Sequence, residues 1–352
     1  MIKVLILDRV LAQREQLSQL LAAQHNMKVV GAASSCDEAV TMISRLQPNI
    51  ALVSHQPPQL DALQVTRCIM ESSPLPIIII SASGKPTEDA STLAAINAGA
   101  LAVVPRPHSG PALLLSGAER EGRDLWQTIK VMAEVKVVRR WPKNSSTVKL
   151  TSAPATTQTI KIVAIGASTG GPLALMTLLR ALPKNFFAPI VVVQHMSFGF
   201  MNGLIDWLAS SLALPVHIAA PDEHMLPGHV YLAPDGFHLR VTHNQRIKLV
   251  DAPPDNGIRP SVGQLFQSVA EVYGKNAAAI LLTGMGRDGA AELLELRQKG
   301  ALTFAQDKES SVVHGMPGEA IKLEAALHIM PPEKIAAVLL SLSYAEQAGR
   351  SG

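Results

Sequence analysis

Cysteine and aromatic residues are scarce in this chain of 352 residues, which has two cysteines, three tryptophans, three tyrosines and seven phenylalanines. Two cysteines are too few for a disulfide-stapled fold, and Cys36 and Cys68 lack the close spacing of zinc ligands. We interpret both as buried, unreactive thiols rather than as a disulfide or a ligand pair. The sequence therefore predicts no metal site.

Long hydrophobic runs and a strong excess of one charge are also absent. The longest apolar runs, such as Ile77–Ile80 and Ile190–Val193, are much shorter than a bilayer span. The N-terminal apolar run ends at the charged residue Asp8 and is not followed by a small-residue cleavage site. A signal peptide is therefore not indicated. A net charge of +3 is too small for a nucleic-acid-binding surface. We expect a soluble, cytoplasmic protein that neither enters membranes nor binds nucleic acid.

The N-terminal part of the chain alternates between strand and helix patterns, which is typical of a parallel sheet covered by helices on both faces. Strands are predicted at Val4–Leu7, Val29–Gly31, Ile50–Val53, Pro76–Ser81 and Ala102–Pro105. Helices are predicted at Leu11–Gln24, Asp37–Leu46, Ala62–Glu71, Thr87–Ala98 and Leu125–Val138. The first domain is thus predicted to be of the α/β class.

A polar segment rich in Pro, Ser and Thr follows and is typical of a linker. After it, a second series of strands and helices runs from Lys161 to about Leu342. We predict a first domain over 1–140, a flexible linker over 141–159, a second domain over 160–345 and a frayed tail over 346–352. A group of basic residues is interpreted as part of the solvated linker region: Lys136, Arg139, Arg140, Lys143 and Lys149.

Ser168 lies in a glycine-rich turn, Gly166-Ala167-Ser168-Thr169-Gly170-Gly171, between a predicted strand and a helix that begins near Pro172. Glycines allow a tight strand-to-helix turn, and the start of a helix offers free backbone N–H groups. A hydroxyl exposed beside such groups is suited to act as a nucleophile.

Two other kinds of functional turn have a similar spacing of glycine and serine. The turn resembles a dinucleotide fingerprint in which the middle glycine is replaced, but the next strand ends in Gln194-His195 instead of the expected carboxylate. No cofactor is therefore predicted. The turn also satisfies the Gly-x-Ser-x-Gly pattern of α/β-hydrolases, in which the acid precedes the histidine. Here His195 comes early and the best acid comes late, which disfavours that fold.

His195 and Asp288 each follow a predicted strand, at the sheet edge where parallel α/β sheets hold their chemistry. His195 supplies an imidazole, and Asp288 lies in the glycine-rich run Gly284-Met285-Gly286-Arg287-Asp288-Gly289. Asp288 could instead only cap the helix Ala290–Gln298. Three glycines in six residues exceed what a cap requires, and they would let main-chain N–H groups approach a substrate oxygen.

A fourth polar segment, 305–317, follows another strand-like run and is expected to line the same cleft. Its Asp307 is an alternative acid for the catalytic histidine. Ser168, His195 and one of these two carboxylates would together form an activated serine.

These motifs resemble the chemotaxis receptor methylesterases, the CheB-type protein-glutamate methylesterase/glutamine deamidases. The resemblance covers nearly the whole chain and is strongest from Lys161 to Pro317. Besides the turns already described, it is carried by Gln194-His195-Met196, Tyr231-Leu232-Ala233-Pro234, Arg259-Pro260-Ser261-Val262 and Gly315-Met316-Pro317. It implies two doubly wound parallel-sheet domains, a receiver-like domain of flavodoxin type and a Rossmann-like methylesterase domain.

The resemblance also implies residue roles. Ser168 would be the nucleophile, His195 its general base, Asp288 the residue that orients the imidazole, and the N–H of Met285 an oxyanion donor. The same pocket would include Thr169, Gly170 and Gly171. The substrate would be a methylated glutamate on a cytoplasmic helix of a chemoreceptor, and glutamine could be deamidated by the same groups. Gly263 departs from the family, which often has Asp there, and this weakens the inference about receptor docking more than the chemistry.

The N-terminal half resembles a phosphoacceptor receiver domain that has lost most of its acceptor residues. Asp8 is followed by Arg9, Ser54 stands at the acceptor position, Ser81 is retained and Arg106 replaces the expected Lys. Magnesium needs several hard oxygen ligands, usually carboxylates. With Arg9 and Ser54 in place of two acids, the pocket lacks both a full set of metal ligands and the carboxylate that would form an acyl phosphate. We predict a pseudo-receiver; the alternative is phosphorylation of an unaligned acid one residue away.

A pseudo-receiver is left with a binding or gating role, and its partner could be the chemotaxis kinase or another protein of the receptor array. Two alternatives to the methylesterase remain. The chain could be a non-catalytic adaptor, or a serine esterase for small molecules. Release of methanol from a methylated receptor distinguishes them.

Overall fold

The computed structural model describes residues 1–56, 60–81, 94–96, 98–107, 118–135 and 159–350. The chain forms two compact units, Met1–Ser146 and Thr147–Gly352. The boundary falls within the predicted linker, of which residues 141–158 lie outside the described residues. The basic group from Lys136 to Lys149 also lies outside them, as does most of the predicted helix Thr87–Ala98.

The first unit is built on a five-stranded parallel sheet in the order β2-β1-β3-β4-β5. Its strands are β1 (Ile2–Leu7), β2 (Met27–Ala33), β3 (Ile50–His55), β4 (Ile77–Ser81) and β5 (Ala102–Pro105). This is the strand order of flavodoxin-like folds, which confirms the fold predicted for the N-terminal half. The central strands β3 and β4 are buried along their whole length, as expected for strands covered on both faces.

Four helices of the first unit are described: α1 (Leu11–Ala22), α2 (Cys36–Leu46), α3 (Ala62–Ser72) and α4 (Ala118–Met132). Ser35 and Asp61 cap α2 and α3 by accepting hydrogen bonds from the main-chain N–H groups of Glu38 and Leu63. Helix α4 begins earlier and ends earlier than the predicted Leu125–Val138.

Cys36 and Cys68 form a disulfide, with their Cα atoms 6.6 Å apart. The interpretation of these residues as free thiols is therefore wrong. Cys36 begins α2 and Cys68 lies within α3, and these helices pack against each other. Spacing along the chain could not reveal this pairing, because the two cysteines meet only when both helices have packed on the sheet.

The second unit is built on a seven-stranded parallel sheet in the order β14-β13-β12-β6-β7-β9-β8. Its strands are β6 (Ile162–Ala167), β7 (Ile190–Gln194), β8 (Val216–Ile218), β9 (Val230–Leu232), β12 (Ala277–Leu281), β13 (Leu302–Gln306) and β14 (His328–Met330). An antiparallel pair, β10 (His238–Val241) and β11 (Ile247–Val250), was not predicted. The first strand of the unit, β6, lies between β7 and β12, so the strand order reverses there. Such switch points are where α/β sheets bind ligands.

Helices follow most of these strands: α5 (Gly171–Leu179), α6 (Met201–Ser211), α7 (Val262–Val272), α8 (Ala290–Gln298), α9 (Met316–Lys322) and α10 (Pro332–Arg350). Val262, Leu265, Phe266 and Val269 of α7 are fully buried and belong to the core that α7 and α8 form with the sheet. This packing fixes the first turn of α7 near the switch point.

Helix α10 extends into the predicted tail. Residues 346–350 belong to this helix, and the fraying expected over 346–352 stays a prediction. Their sequence, Glu346-Gln347-Ala348-Gly349-Arg350, contains mostly good helix formers that can extend an established helix. Within the described ranges, no helix is long and apolar enough to cross a membrane.

Candidate active site

Ser168 is the first residue after β6 and is held there by the main chain. Its N–H donates to the carbonyl of Thr283 (3.0 Å), and its own carbonyl accepts from Gly171 N–H (2.8 Å). Gly170 has φ +76°, a left-handed conformation that favours glycine, and Val312 occupies the space where its Cβ would lie. The tight turn predicted around Ser168 is therefore present, and α5 starts directly after it.

His195 is the first residue after β7, the strand beside β6. Ala167 and Gln194 are partners in the parallel register, and His195 N–H donates to the carbonyl of Ala167 (2.9 Å). Ser168 and His195 therefore leave adjacent strands at the same level, where neighbouring strands lie about 5 Å apart. Both side chains are delivered to one point of the sheet edge.

The side chain of Gln194 links the backbones of Ser168 and His195. Its buried amide Nε2 donates to the carbonyl of Ser168 (2.8 Å) and to the carbonyl of His195 (2.7 Å). One side chain thus fixes the backbone of both residues. In the sequence Gln194 is recognisable only as part of a motif, and nothing there indicates this role.

Asp288 contacts His195, with 2.9 Å between its Oδ2 and the imidazole Nε2. Both side chains are largely buried, 12% and 13% exposed respectively. The two atoms are at ion-pair distance, although the Nε2–H direction lies outside hydrogen-bond geometry.

Three donors at the N-terminus of α7 hold Asp288 in place. The Ser261 hydroxyl donates to Oδ1 (2.9 Å), Val262 N–H to Oδ2 (2.7 Å) and Gly263 N–H to Oδ1 (3.0 Å). A carboxylate is favoured at a helix N-terminus, where free N–H groups and the helix dipole meet. Asp288 therefore does not cap α8, whose N-cap is Gly289 and has no side-chain cap.

The surroundings stabilise the charged form of Asp288. Burial by itself raises the pKa of this carboxyl. The close contact and positive charge of His195, with the N–H groups of Gly263 and Val262, outweigh burial and hold the pKa below its usual value. Asp288 is thus an anion near neutral pH, as the orienting residue of an imidazole must be.

The loop that carries Met285 lies directly against Ser168. Thr283 fixes this loop through its hydrogen bonds. Its hydroxyl lies 2.9 Å from the carbonyl of Thr169 and 3.1 Å from that of Val313. Its N–H donates to Gln306 Oε1 (2.7 Å). Among the described residues, no acceptor is bound to Met285 N–H and no hydrogen bond reaches the Ser168 hydroxyl. Both groups therefore have no hydrogen-bond partner within these residues.

Asp307, the alternative acid, lies apart from this pair. Its Oδ1 accepts hydrogen bonds from the N–H and the hydroxyl of Ser310 (3.0 and 2.5 Å), so it closes a turn after β13. The structure brings Asp288, not Asp307, against His195. Gly263 lies beside this pair, because its main-chain N–H donates to the carboxylate of Asp288 (3.0 Å).

The predicted degenerate pocket of the first unit contains a buried ion pair. Asp8 is fully buried, and its Oδ2 lies 2.7 Å from Nη2 of Arg106. The Ser54 hydroxyl donates to the same oxygen (2.5 Å) and accepts from Arg106 (2.7 Å). Ser81 ends β4 at this edge, and its carbonyl accepts from Arg106 N–H (2.9 Å), whereas Arg9 is exposed.

No cation site accompanies these groups. Across the described parts of the chain, no three His, Cys, Asp or Glu side chains gather where they could hold a metal ion. The guanidinium of Arg106 occupies the position beside Asp8 that a cation could otherwise take.

The comparisons with known proteins agree with this arrangement. A family model for the CheB methylesterase matches residues 163–339, and a model for the response regulator receiver domain matches residues 4–116. This chain belongs to the CheB methylesterase family. The family predicted from the motifs is thereby confirmed, together with its two-domain α/β fold.

Several relatives match over their whole length. A protein-glutamate methylesterase/protein-glutamine glutaminase of Geobacter metallireducens is 47% identical over 347 residues, which cover 97% of this chain and 99% of that protein. One from Nitrosospira multiformis is 46% identical over 97% of each chain. The crystal structure of the Thermotoga maritima CheB methylesterase catalytic domain is 41% identical, with a TM-score of 0.51, and covers 52% of this chain and 99% of that one.

Proposed function

We propose that this CheB family member is a serine hydrolase that removes methyl groups from γ-glutamyl methyl esters of chemoreceptor cytoplasmic helices. The observation that carries the proposal is Asp288, held by the N-terminus of α7 against an imidazole that leaves the sheet beside Ser168. The names of the relatives support the same reaction.

The reaction proceeds by acyl transfer. The Ser168 oxygen attacks the γ-carbonyl carbon while His195 takes the hydroxyl proton, and Asp288 stabilises the imidazolium. The N–H of Met285 donates to the oxyanion, and Thr169, Gly170 and Gly171 form the adjoining wall of the pocket. The carbon–oxygen bond to the methoxy group breaks, and methanol leaves with the proton from His195.

Water completes the cycle. His195 removes a proton from water, the hydroxide attacks the acyl carbon, and Ser168 leaves with that proton, so the product is a free glutamate. With a glutamine substrate, ammonia leaves in place of methanol by the same steps. The names of the relatives include a glutaminase activity, which supports deamidation as a second reaction.

The first unit regulates the enzyme, in our proposal, without aspartyl phosphorylation. Its pocket offers one buried carboxylate, Asp8, already paired with Arg106, and a serine at the acceptor position. We infer that its signal is binding of a partner, such as the chemotaxis kinase or another protein of the receptor array, in the cytoplasm.

The test is methanol release from a methylated receptor by the full chain. Ser168→Ala should lower the rate by about 10³-fold or more without changing the far-UV circular dichroism spectrum. Ser210→Ala, on the exposed face of α6, is the matched control and should keep the full rate. Retained release by Ser168→Ala would refute the assignment, absence of release by the wild type would favour the adaptor, and equal turnover of free methyl esters would favour a small-molecule esterase.

A further inference from the structure

Gly263 lies at a point where two carboxyl groups converge. A Cβ atom at this position would lie 3.2 Å from Asp288 Oδ1 and 3.1 Å from both the carboxyl carbon and Oε2 of Glu292. The carboxyl of Glu292, on α8, therefore fills the space beside the first turn of α7 and faces the carboxylate that orients His195.

The backbone does not explain the glycine at 263. Its φ is outside the left-handed range, so any residue could adopt this conformation. Glycine in a helix costs stability relative to alanine. The space favours glycine, because a side chain here would press on the carboxyl of Glu292, which would have to shift by a few tenths of an ångström.

The charged form of the Glu292 carboxyl is disfavoured in this space. Burial raises the pKa of its carboxyl, and the negative charges of Asp288, Asp255 and Glu295 raise it further, while its own main-chain N–H lowers it. Carboxyl groups with perturbed pKa values cluster at functional sites, and Glu292 lies beside the residue that contacts His195. Three carboxyl groups surround Glu292: Asp288 in the loop before α8, Asp255 in the loop before α7, and Glu295 on α8 itself. His195 contacts one of them, Asp288.

We propose that Glu292 is a positioning residue for the Asp288–His195 pair and that Glu292 and Gly263 are a matched pair. The carboxyl of Glu292 closes the free side of Asp288 against water and adds negative potential behind the imidazole. This inference rests on the proposed function, because it concerns the same reaction.

The first arm of the test is the pH profile of kcat/KM for methanol release. Glu292→Gln keeps the shape but removes the charge, so the imidazolium is stabilised less and the acidic limb should move down by about half a pH unit. Glu295→Gln removes the same charge one turn further along α8, where it pairs with Lys299, and should leave the profile in place. An unchanged profile for Glu292→Gln would overturn the electrostatic role.

The second arm is a double-mutant cycle. Glu292→Ala opens the space and should lower kcat about 10-fold with little change in KM. Gly263→Asp forces a second side chain against Glu292 and should cost at least as much. The double variant Gly263→Asp/Glu292→Ala puts one carboxyl back into the space and should recover to within about 3-fold of the wild type. Losses that simply multiply would overturn the pairing.

Thermal unfolding of each variant separates positioning from folding. If Gly263→Asp does not fold, the pH profile of Glu292→Gln still decides the question. A wild type without methanol release would count against the proposed function. An active wild type whose Glu292 variants match it in rate and pH profile would count against this inference alone.

Discussion

Nη2 of Arg106 lies 2.7 Å from Oδ2 of Asp8, inside the first unit. The carboxylate is fully buried and the guanidinium side chain is 12% exposed, so the guanidinium neutralises the buried carboxylate. Buried charges need a partner, and here the chain supplies both charges itself.

The first prediction concerns phosphorylation. Incubated with acetyl phosphate and magnesium, the full chain should gain no phosphate, because Arg106 occupies the carboxylate that would bind the metal and Ser54 cannot form an acyl phosphate. Intact-protein mass spectrometry measures this directly. Phosphate incorporation that Asp8→Asn removes would show that the pocket still functions as a receiver.

Acid should destabilise the second unit through Asp288. Its pKa is lower in the folded chain than the value of about 3.9 of an unfolded one. The stabilisation is complete above the unfolded value and is lost as the pH falls towards the folded one. Urea unfolding between pH 3 and 7 should therefore show a shallower acid limb for Asp288→Asn than for the wild type. An unchanged slope would mean that Asp288 contributes no such stabilisation.

Ser261 should matter for both stability and rate. Its hydroxyl caps α7 by accepting from Gln264 N–H (3.4 Å) and donates to Asp288 (2.9 Å). Ser261→Ala should lower the free energy of unfolding by about 1 kcal/mol and kcat several-fold, with less effect on KM. Urea unfolding and methanol release measure the two effects. Ser261→Thr, which keeps the hydroxyl, should retain more activity, and equal losses in both variants would argue against the hydrogen bond to Asp288.

Reduction of the Cys36–Cys68 disulfide should destabilise the first unit. The bridge closes a loop with a sequence separation of 32, for which loop-closure entropy gives about 3.7 kcal/mol. Thermal unfolding with and without dithiothreitol should show a lower transition for the reduced protein, and Cys36→Ser/Cys68→Ser should unfold like the reduced form under both conditions. Equal transitions for oxidised and reduced wild type would exclude a stabilising role.

The strand ends could be predicted from the sequence because the signal is local. Apolar runs followed by Ser168 and His195 mark where β6 and β7 finish, and parallel pairing then brings the two residues to one edge. The change from Asp and Lys to Ser54 and Arg106 could also be read directly, since the family pattern gives each position a chemical role.

The support of Asp288 could not be predicted in the same way. Ser261, Val262 and Gly263 reach it only because α7 packs its buried face onto the sheet with its first turn at the switch point. The disulfide and the contact of Glu292 with Gly263 depend on helix packing as well. Such contacts join residues that are distant in the chain, and residue spacing carries no information about them.

The two hydrogen bonds of Gln194 have a consequence for motion. Since one amide donates to the carbonyls of both Ser168 and His195, the backbones of these two residues are coupled to each other. Their side chains should therefore keep the same relative position when other loops around the sheet edge rearrange.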